Sequence, residues 1–335
     1  MTTLHLHRIL ASGAVALAFA AQAAPLYKVT DLGTFGGPES DAYGMARGHV
    51  IVGFSDTAGA DGHARAFSWQ GGRMTDLGGL TADGESFATD INASGQVSGY
   101  ATASDFTTRA VIFDAGAVTD IAALRDDFLL SFGEGINAPG HVTGSAVSST
   151  DYTWHAFVYA GDAVDLLVSG SMGHGINDRD QVIGSIYSMA TMFDHGKTVT
   201  LGTLGGSWSD GMAINDAGEA TGWAAIPHDY EAHAFVWRDG RMHDLGTLGG
   251  TQSQGRAINR AGVVVGWSDL HGLGDEHAFI ASHGRMEDLN FLLDPASGAG
   301  WTLLAATGID ERGHIIGTGM HHGFFHAFEL TPMLR

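Results

Sequence analysis

Residues 231–250 read EAHAFVWRDGRMHDLGTLGG, and residues 275–290 read DEHAFIASHGRMEDLN. The second is a close copy of the first, shifted by forty-four residues. A shift of that size marks a repeated supersecondary unit, so repeats are sought before individual helices or strands.

Three markers recur along the chain, and each appears seven times. An Ala inside a short β-like run stands at Ala66, Ala110, Ala156, Ala190, Ala234, Ala278 and Ala327, in RAFSW, RAVIF, HAFVY, MATMF, HAFVW, HAFIA and HAFEL. A Leu or Ile, usually preceded by Asp, stands at Leu32, Leu77, Ile121, Leu166, Leu201, Leu245 and Leu289. A Gly closing a β-branched run stands at Gly53, Gly99, Gly144, Gly184, Gly222, Gly266 and Gly317. The period is about 44 residues, contracting to about 35 around Met189 and stretching in the last copy.

Each unit holds four strand-like runs, which in the fifth copy are DGMAIN, EATGWA, HAFVWR and RMHDLG. Two of the links are tight turns. One is an Asn-x-x-Gly step such as Asn215 to Gly218, where the Asn side chain bonds backbone amides ahead of it and Gly takes positive φ. The other is a two-residue hairpin such as Asp239-Gly240. Four antiparallel strands per unit of this length are the signature of a β-propeller blade.

The chain ends fix the closure. After a leader, the chain opens with a lone fourth strand, Tyr27 to Gly33, and finishes with first, second and third strands up to Leu330. The expected fold is therefore all-β: a seven-bladed β-propeller of four-stranded antiparallel blades over 24–335, closed by the N-terminal strand completing the last blade. An open solenoid would need atypical capping repeats, and neither end resembles one. Strand alternation also explains the constant Ala. His233, Phe235 and Trp237 fill one face of a blade, while Ala234 and Val236 offer the other to the next.

The HAF triplets at 155–157, 233–235, 277–279 and 326–328, with DLGTLGG at 244–250, LGTLGG at 201–206, DLGTFGG at 31–37 and the Ile-Asn turns, resemble the HAF-repeat family of extracellular bacterial repeat proteins. The resemblance spans nearly the whole mature chain. It implies export and a repetitive β fold, and it carries no catalytic residue to transfer. Arg109-Ala-Val111 and Met189-Ala-Thr191 depart from the pattern as drifted blades.

Composition agrees with export. Met1 to Ala23 has a lone Arg8, an apolar stretch from Ile9 to Ala20 and a small-residue cleavage site at Ala21-Gln22-Ala23, the features of a signal peptide. The expected location is extracellular or periplasmic. With no Cys the exported chain has no disulfides. A net charge of −21 makes nucleic acid and anionic membrane poor partners. No run after the leader has transmembrane length, and a monomer is expected.

Several motifs invite chemistry. LGTLGG recurs at blade ends without a following helix, so it is a turn rather than a phosphate cradle. The His of HAF, once per blade, is expected to stack or hydrogen-bond between blades rather than bind metal. No cofactor is expected. The His321, His322 and His326 cluster, with His314 nearby, lies outside the repeat, and neighbouring His on a strand point apart, so at most two share an ion. DTAGAD at 56–61 leaves Ca²⁺ open, without the spacing of a known loop or a bidentate Glu.

No Gly-x-Ser-x-Gly elbow, Cys nucleophile or sialidase-type Ser-x-Asp-x-Gly-x-x-Trp box occurs. Acids on first strands, Asp90, Glu134 and Asp210, together with Glu85, are the catalytic candidates, placed to line a central channel as a glycosidase pair. If the first-to-second and third-to-fourth links are tight on one side, the variable links emerge together on the other. They carry Tyr152, Trp154, Trp208, His228, Tyr230 and Trp301, whose flat rings suit sugars or peptide side chains. The functional expectation is a non-catalytic propeller recognising a glycan or protein on this loop face. The alternatives are a polysaccharide hydrolase or lyase using channel carboxylates, and a structural envelope component.

Overall fold

A computed structural model describes residues 26–59, 62–271 and 275–333. The leader at 1–23 lies outside the described residues, as do Ala60 and Asp61 of the DTAGAD stretch. Seven four-stranded antiparallel sheets form, and in six of them the strands follow chain order. Blades 1 to 6 occupy 36–76, 86–120, 128–169, 171–200, 209–244 and 253–288. Blade 7 takes its first three strands from 301–332 and its fourth from the N-terminal strand Tyr27–Asp31, which pairs Tyr27 with Pro332 and Asp31 with Phe328. The first strands touch their neighbours all the way round, from blade 1 through blade 7 and back to blade 1. The contracted fourth repeat is a complete blade, its second and third strands joined through Tyr187 and Ser188 at positive φ.

Each sequence marker has a structural cause. All seven marker Ala residues are wholly buried. Ala234 and Val236 of blade 5 pack against Phe279 of blade 6, and Ala327 of blade 7 packs against Phe67 of blade 1. Large therefore meets small at each joint. The Ala backbone is also fastened across the joint: the Ala234 N–H donates to Ser253 Oγ at 2.7 Å, and that hydroxyl donates to the Gly246 carbonyl at 2.6 Å. Ser86, Ser131, Ser171, Ser209 and Ser40 accept from the preceding blade's Ala in the same way. At the last joint Leu303 holds the Ser position, and Asn290 bonds both its N–H and its carbonyl instead.

The marker Gly answers a bulge. In all seven blades the first strand carries a register shift opposite this Gly, between Gly211 and Ala213 in blade 5 for example. A Cβ on Gly222 would lie 2.0 Å from the Asp210 carbonyl oxygen, so only Gly fits. On the opposite face the turn Asn residues form a ladder. Asn92 Nδ2 donates to the Asn137 carbonyl, and so onward through Asn177, Asn215 and Asn259 to Asp310. Asn215 Oδ1 also accepts from Ala217 and Glu219, and Gly218 takes φ +84°.

One expectation is corrected. The His of HAF pairs within its own blade, with the acid of the fourth strand: His233 with Asp244 at 3.0 Å, His277 with Asp288 at 2.6 Å and His326 with Asp31 at 3.0 Å. Arg65 and Arg109 replace it conservatively, reaching Asp76 and Asp120. The third and fourth strands are hydrogen-bonded neighbours, with Phe235 opposite Asp244, which brings the Asp before the marker Leu within reach of the His two residues before that Phe. His155 differs again, pairing with Asp151 in its own blade's loop.

Candidate functional site

The seven bulges build the channel. The residue that each bulge leaves unpaired is Tyr43, Thr89, Glu134, His174, Met212, Arg256 or Thr307, one per blade, and all seven line a cavity of about 470 Å³ in the ring's centre. A bulge re-aims a side chain out of the pleat, so a structural device common to every blade delivers a different functional group from each.

The channel wall has two characters. Across blades 1 to 3 an aromatic arc runs from Tyr43 to Phe54, Phe87, Tyr100, Phe132 and Trp154, with neighbouring ring centres 4.9–6.1 Å apart. Blades 3, 4 and 6 supply Glu134, His174 and Arg256, and Asp210 of blade 5 reaches His174 from the neighbouring cleft. His174 Nε2 lies 3.5 Å from Asp210 Oδ2. Burial alone favours the neutral imidazole, but that carboxylate outweighs it and raises the His174 pKa above its ordinary value. Enclosure raises the Glu134 carboxyl, against the lowering pull of His174 and Arg256. It also lowers Arg256, against the raising pull of Tyr43, Glu134 and Glu276. Tyr100 is pushed up to about 12 by burial. Asp41, which accepts from Thr318 Oγ1 and the Tyr43 hydroxyl, is raised by burial as well.

Beside the channel a second cavity, of about 520 Å³, opens over the short blade 4. Its walls are Tyr152 and Trp154 from blade 3, Tyr187 from the blade 4 hairpin, and Trp208 and Trp223 from blade 5. Trp154 and Met172 line both cavities, and the His174–Asp210 pair stands at the boundary between them. Tyr152 and Tyr187 are each 76% exposed, while Trp208 packs edge-on to Trp223 at 5.1 Å. The floor holds polar atoms without partners: Asp210 Oδ1 and the Trp223 indole N–H are buried and unbonded among the described residues. Such groups are costly unless something hydrogen-bonds to them.

The sequence candidates are distributed unevenly. Tyr152, Trp154 and Trp208 meet in the cleft. Trp301 lies elsewhere, stacked on His321 at 4.4 Å and lining a cavity of about 740 Å³ between blades 6 and 7. His228 and Tyr230 sit on the blade 5 loop, neither lining the cleft, and Tyr230 is 86% exposed. Among the acids, Glu134 faces the channel and Asp210 the cleft floor. Asp90 turns into the joint between blades 2 and 3, where it accepts from the Ile91 and Ile136 amides, and burial pushes it up to about 6. Glu85 precedes its strand and is exposed. His321 and His326 converge on Asp31, whereas His322 packs against His321 with its ring tilted by 38° and lies outside that trio.

Arg256, His174, Tyr43, Tyr187 and Trp223 were not singled out from the sequence. The signal was present in the repeat. Channel groups occupy the variable place between two small residues in Ser-Gln-Gly-Arg256-Ala and Ser-Met-Gly-His174-Gly, and Phe54, Tyr100, Trp223 and Trp267 each follow the marker Gly.

No protein-family model matches the chain, and no curated protein matches its sequence. Solved structures do. The β-propeller domain of the Trilobed protease from Pyrococcus furiosus, described as having an open velcro topology, superposes with a TM-score of 0.58 at 9% identity, over 92% of this chain and 98% of that one. A puromycin-hydrolyzing peptidase from Mycobacterium tuberculosis gives 0.52 at 12% identity, over 88% of this chain and 52% of that one. At these identities the likeness is one of fold, and the chain is a seven-bladed β-propeller.

Proposed function

We propose that this is an exported propeller that binds a glycan on its loop face, in the aromatic cleft over blade 4 and the mouth of the channel. The observation that carries the reading is the pairing of flat rings with unsatisfied polar atoms: Tyr152, Trp154, Tyr187 and Trp208 surround a floor where Asp210 Oδ1 and the Trp223 N–H have no partner among the described residues. A sugar ring offers an apolar face for stacking and hydroxyls at its rim that both donate and accept. Asp210 needs a donor and Trp223 an acceptor, and a hydroxyl serves either. The leader at 1–23 and the HAF-repeat resemblance support export.

A second reading is favoured by one pair of observations. Glu134 is held towards its protonated form while His174 and Asp210 are paired nearby, which is the separation of acid and base roles that polysaccharide cleavage requires. One experiment addresses both. The purified chain is screened against soluble polysaccharides by affinity electrophoresis, and each retained glycan is then assayed for product release. Retention without product supports the binder. Product release that falls at least a hundredfold in Glu134→Gln, with retention intact, supports the enzyme. Retention of no glycan would remove both readings and leave a protein partner or a structural role.

A further inference from the structure

The His–Asp pair between third and fourth strands recurs in blades 5, 6 and 7, but among the described residues blade 7 alone adds a third ligand-type side chain. His326 Nδ1 lies 3.0 Å from both oxygens of Asp31, and His321 Nδ1 lies 3.1 Å from Oδ2 of the same carboxylate. One ligand atom from each residue falls within 4.8 Å of the others. His321 stands four residues past its blade's marker Gly. At that register the other blades carry Thr57, Ala103, Ser148, Ser188, Ile226 and Leu270, none of which is an imidazole or a carboxylate.

The trio is also held in place. The His321 ring lies flat on Trp301, centres 4.4 Å apart and planes 6° from parallel. The Gly33 N–H donates to Asp31 Oδ1 at 2.8 Å, orienting the carboxylate from behind. His321 and His326 are 19% and 20% exposed and Asp31 32%, so the three are partly enclosed with one side open to solvent. Two imidazoles and a carboxylate suit zinc and its neighbours among the transition metals, and they suit calcium or magnesium poorly. Ligand atoms about 3 Å apart match neighbouring donors around an ion bound at about 2 Å.

We infer that Asp31, His321 and His326 form a site for a divalent transition-metal ion, with zinc as the fitting probe, that fastens the N-terminal strand to the C-terminal strands where the ring closes. Asp31 and the two His are 290 and 295 residues apart in sequence, so the ion would bridge the chain ends. A solvent molecule would complete the coordination. The inference does not depend on the loop-face reading. It gives the seam, the one joint that must form between the two ends of the chain, a lock that blades 5 and 6 lack.

The test uses the full mature chain, stripped with EDTA and dialysed. Zinc binding is measured by equilibrium dialysis, and the unfolding midpoint is followed with and without zinc. One zinc per chain is expected. Zinc at about a hundred times its half-saturating concentration should raise the midpoint by about 5 °C, and the same concentration of Ca²⁺ or Mg²⁺ should not. His321→Gln should lose both the bound zinc and the shift. His277→Gln, which removes the equivalent His of blade 6, should keep both. Absence of bound zinc in the unaltered chain would overturn the inference, as would undiminished binding by His321→Gln or equal loss in His277→Gln. Should His321→Gln fold poorly, His326→Gln serves in its place, read by dialysis alone.

Discussion

Replacing Ser253 by Ala tests the account of how blades are joined. The Ser253 hydroxyl accepts from the Ala234 N–H at 2.7 Å and donates to the Gly246 carbonyl at 2.6 Å, and both Ser253 and Ala234 are wholly buried. Ala removes one atom and leaves no room for water to replace it. An orphaned buried N–H costs about 1–3 kcal/mol, and a carbonyl that loses its only side-chain donor adds less, so about 2 kcal/mol is expected. In a domain of this size that lowers the unfolding midpoint by about 4 °C. Scanning calorimetry of Ser253→Ala beside the exposed-site control Ser94→Ala measures it directly. A drop under about 1 °C, or equal drops in the two variants, would mean that the Ser–Ala bond is incidental and that apolar packing alone holds the blades.

Three further outcomes follow from the same structure. Gly222→Ala forces a Cβ to within 2.0 Å of the Asp210 carbonyl oxygen, so the bulge must shift; a loss of about 3 kcal/mol in urea unfolding is expected, and a neutral result would contradict the bulge's role. Asp90, pushed up to about 6 by burial, keeps its proton in the folded chain at pH values where the unfolded chain has lost it, so its contribution falls as pH rises from about 4 to about 6. Up to about 3 kcal/mol is involved, and Asp90→Asn should flatten the urea midpoint across that window; an identical pH profile in both chains would refute the assignment. Removing the His233–Asp244 pair should matter more at low pH. Asp244 raises the His233 pKa, so the pair's stabilisation is full below the ordinary His value and is lost above the raised one. His233→Gln should therefore narrow the difference in midpoint between pH 5.5 and pH 8.5, and an unchanged difference would count against it.

Much of this was legible in the sequence because the fold is periodic. Markers such as Ala234, Leu245 and Gly222 recur for reasons of backbone and packing, so counting them counts blades. The contracted fourth repeat kept its strands because it lost only loop, with Tyr187 and Ser188 closing a tight hairpin. The site was less legible, for two physical reasons. The channel groups sit at bulges, and a bulge inserts a residue that strict alternation assigns to the wrong face; Asp90 and Thr89 exchange places in this way. Convergence across blades is also a property of the ring, not of any repeat. Trp154, Tyr187 and Trp208 come from three blades and meet because the blade between is short, whereas Trp301 belongs to blade 7 and packs on His321.

On the proposed reading the cleft over blade 4, and not the loop face in general, holds the glycan. It is tested most directly by titrating a retained glycan into the unaltered chain, Trp208→Ala and Tyr230→Ala in a calorimeter. Both residues are aromatic and both belong to blade 5's surroundings, but only Trp208 lines the cleft. Loss of one stacking contact costs about 1.5 kcal/mol, so Trp208→Ala should bind roughly tenfold more weakly while Tyr230→Ala binds as the unaltered chain does. Equal affinity in all three proteins, or a loss confined to Tyr230→Ala, would contradict the account.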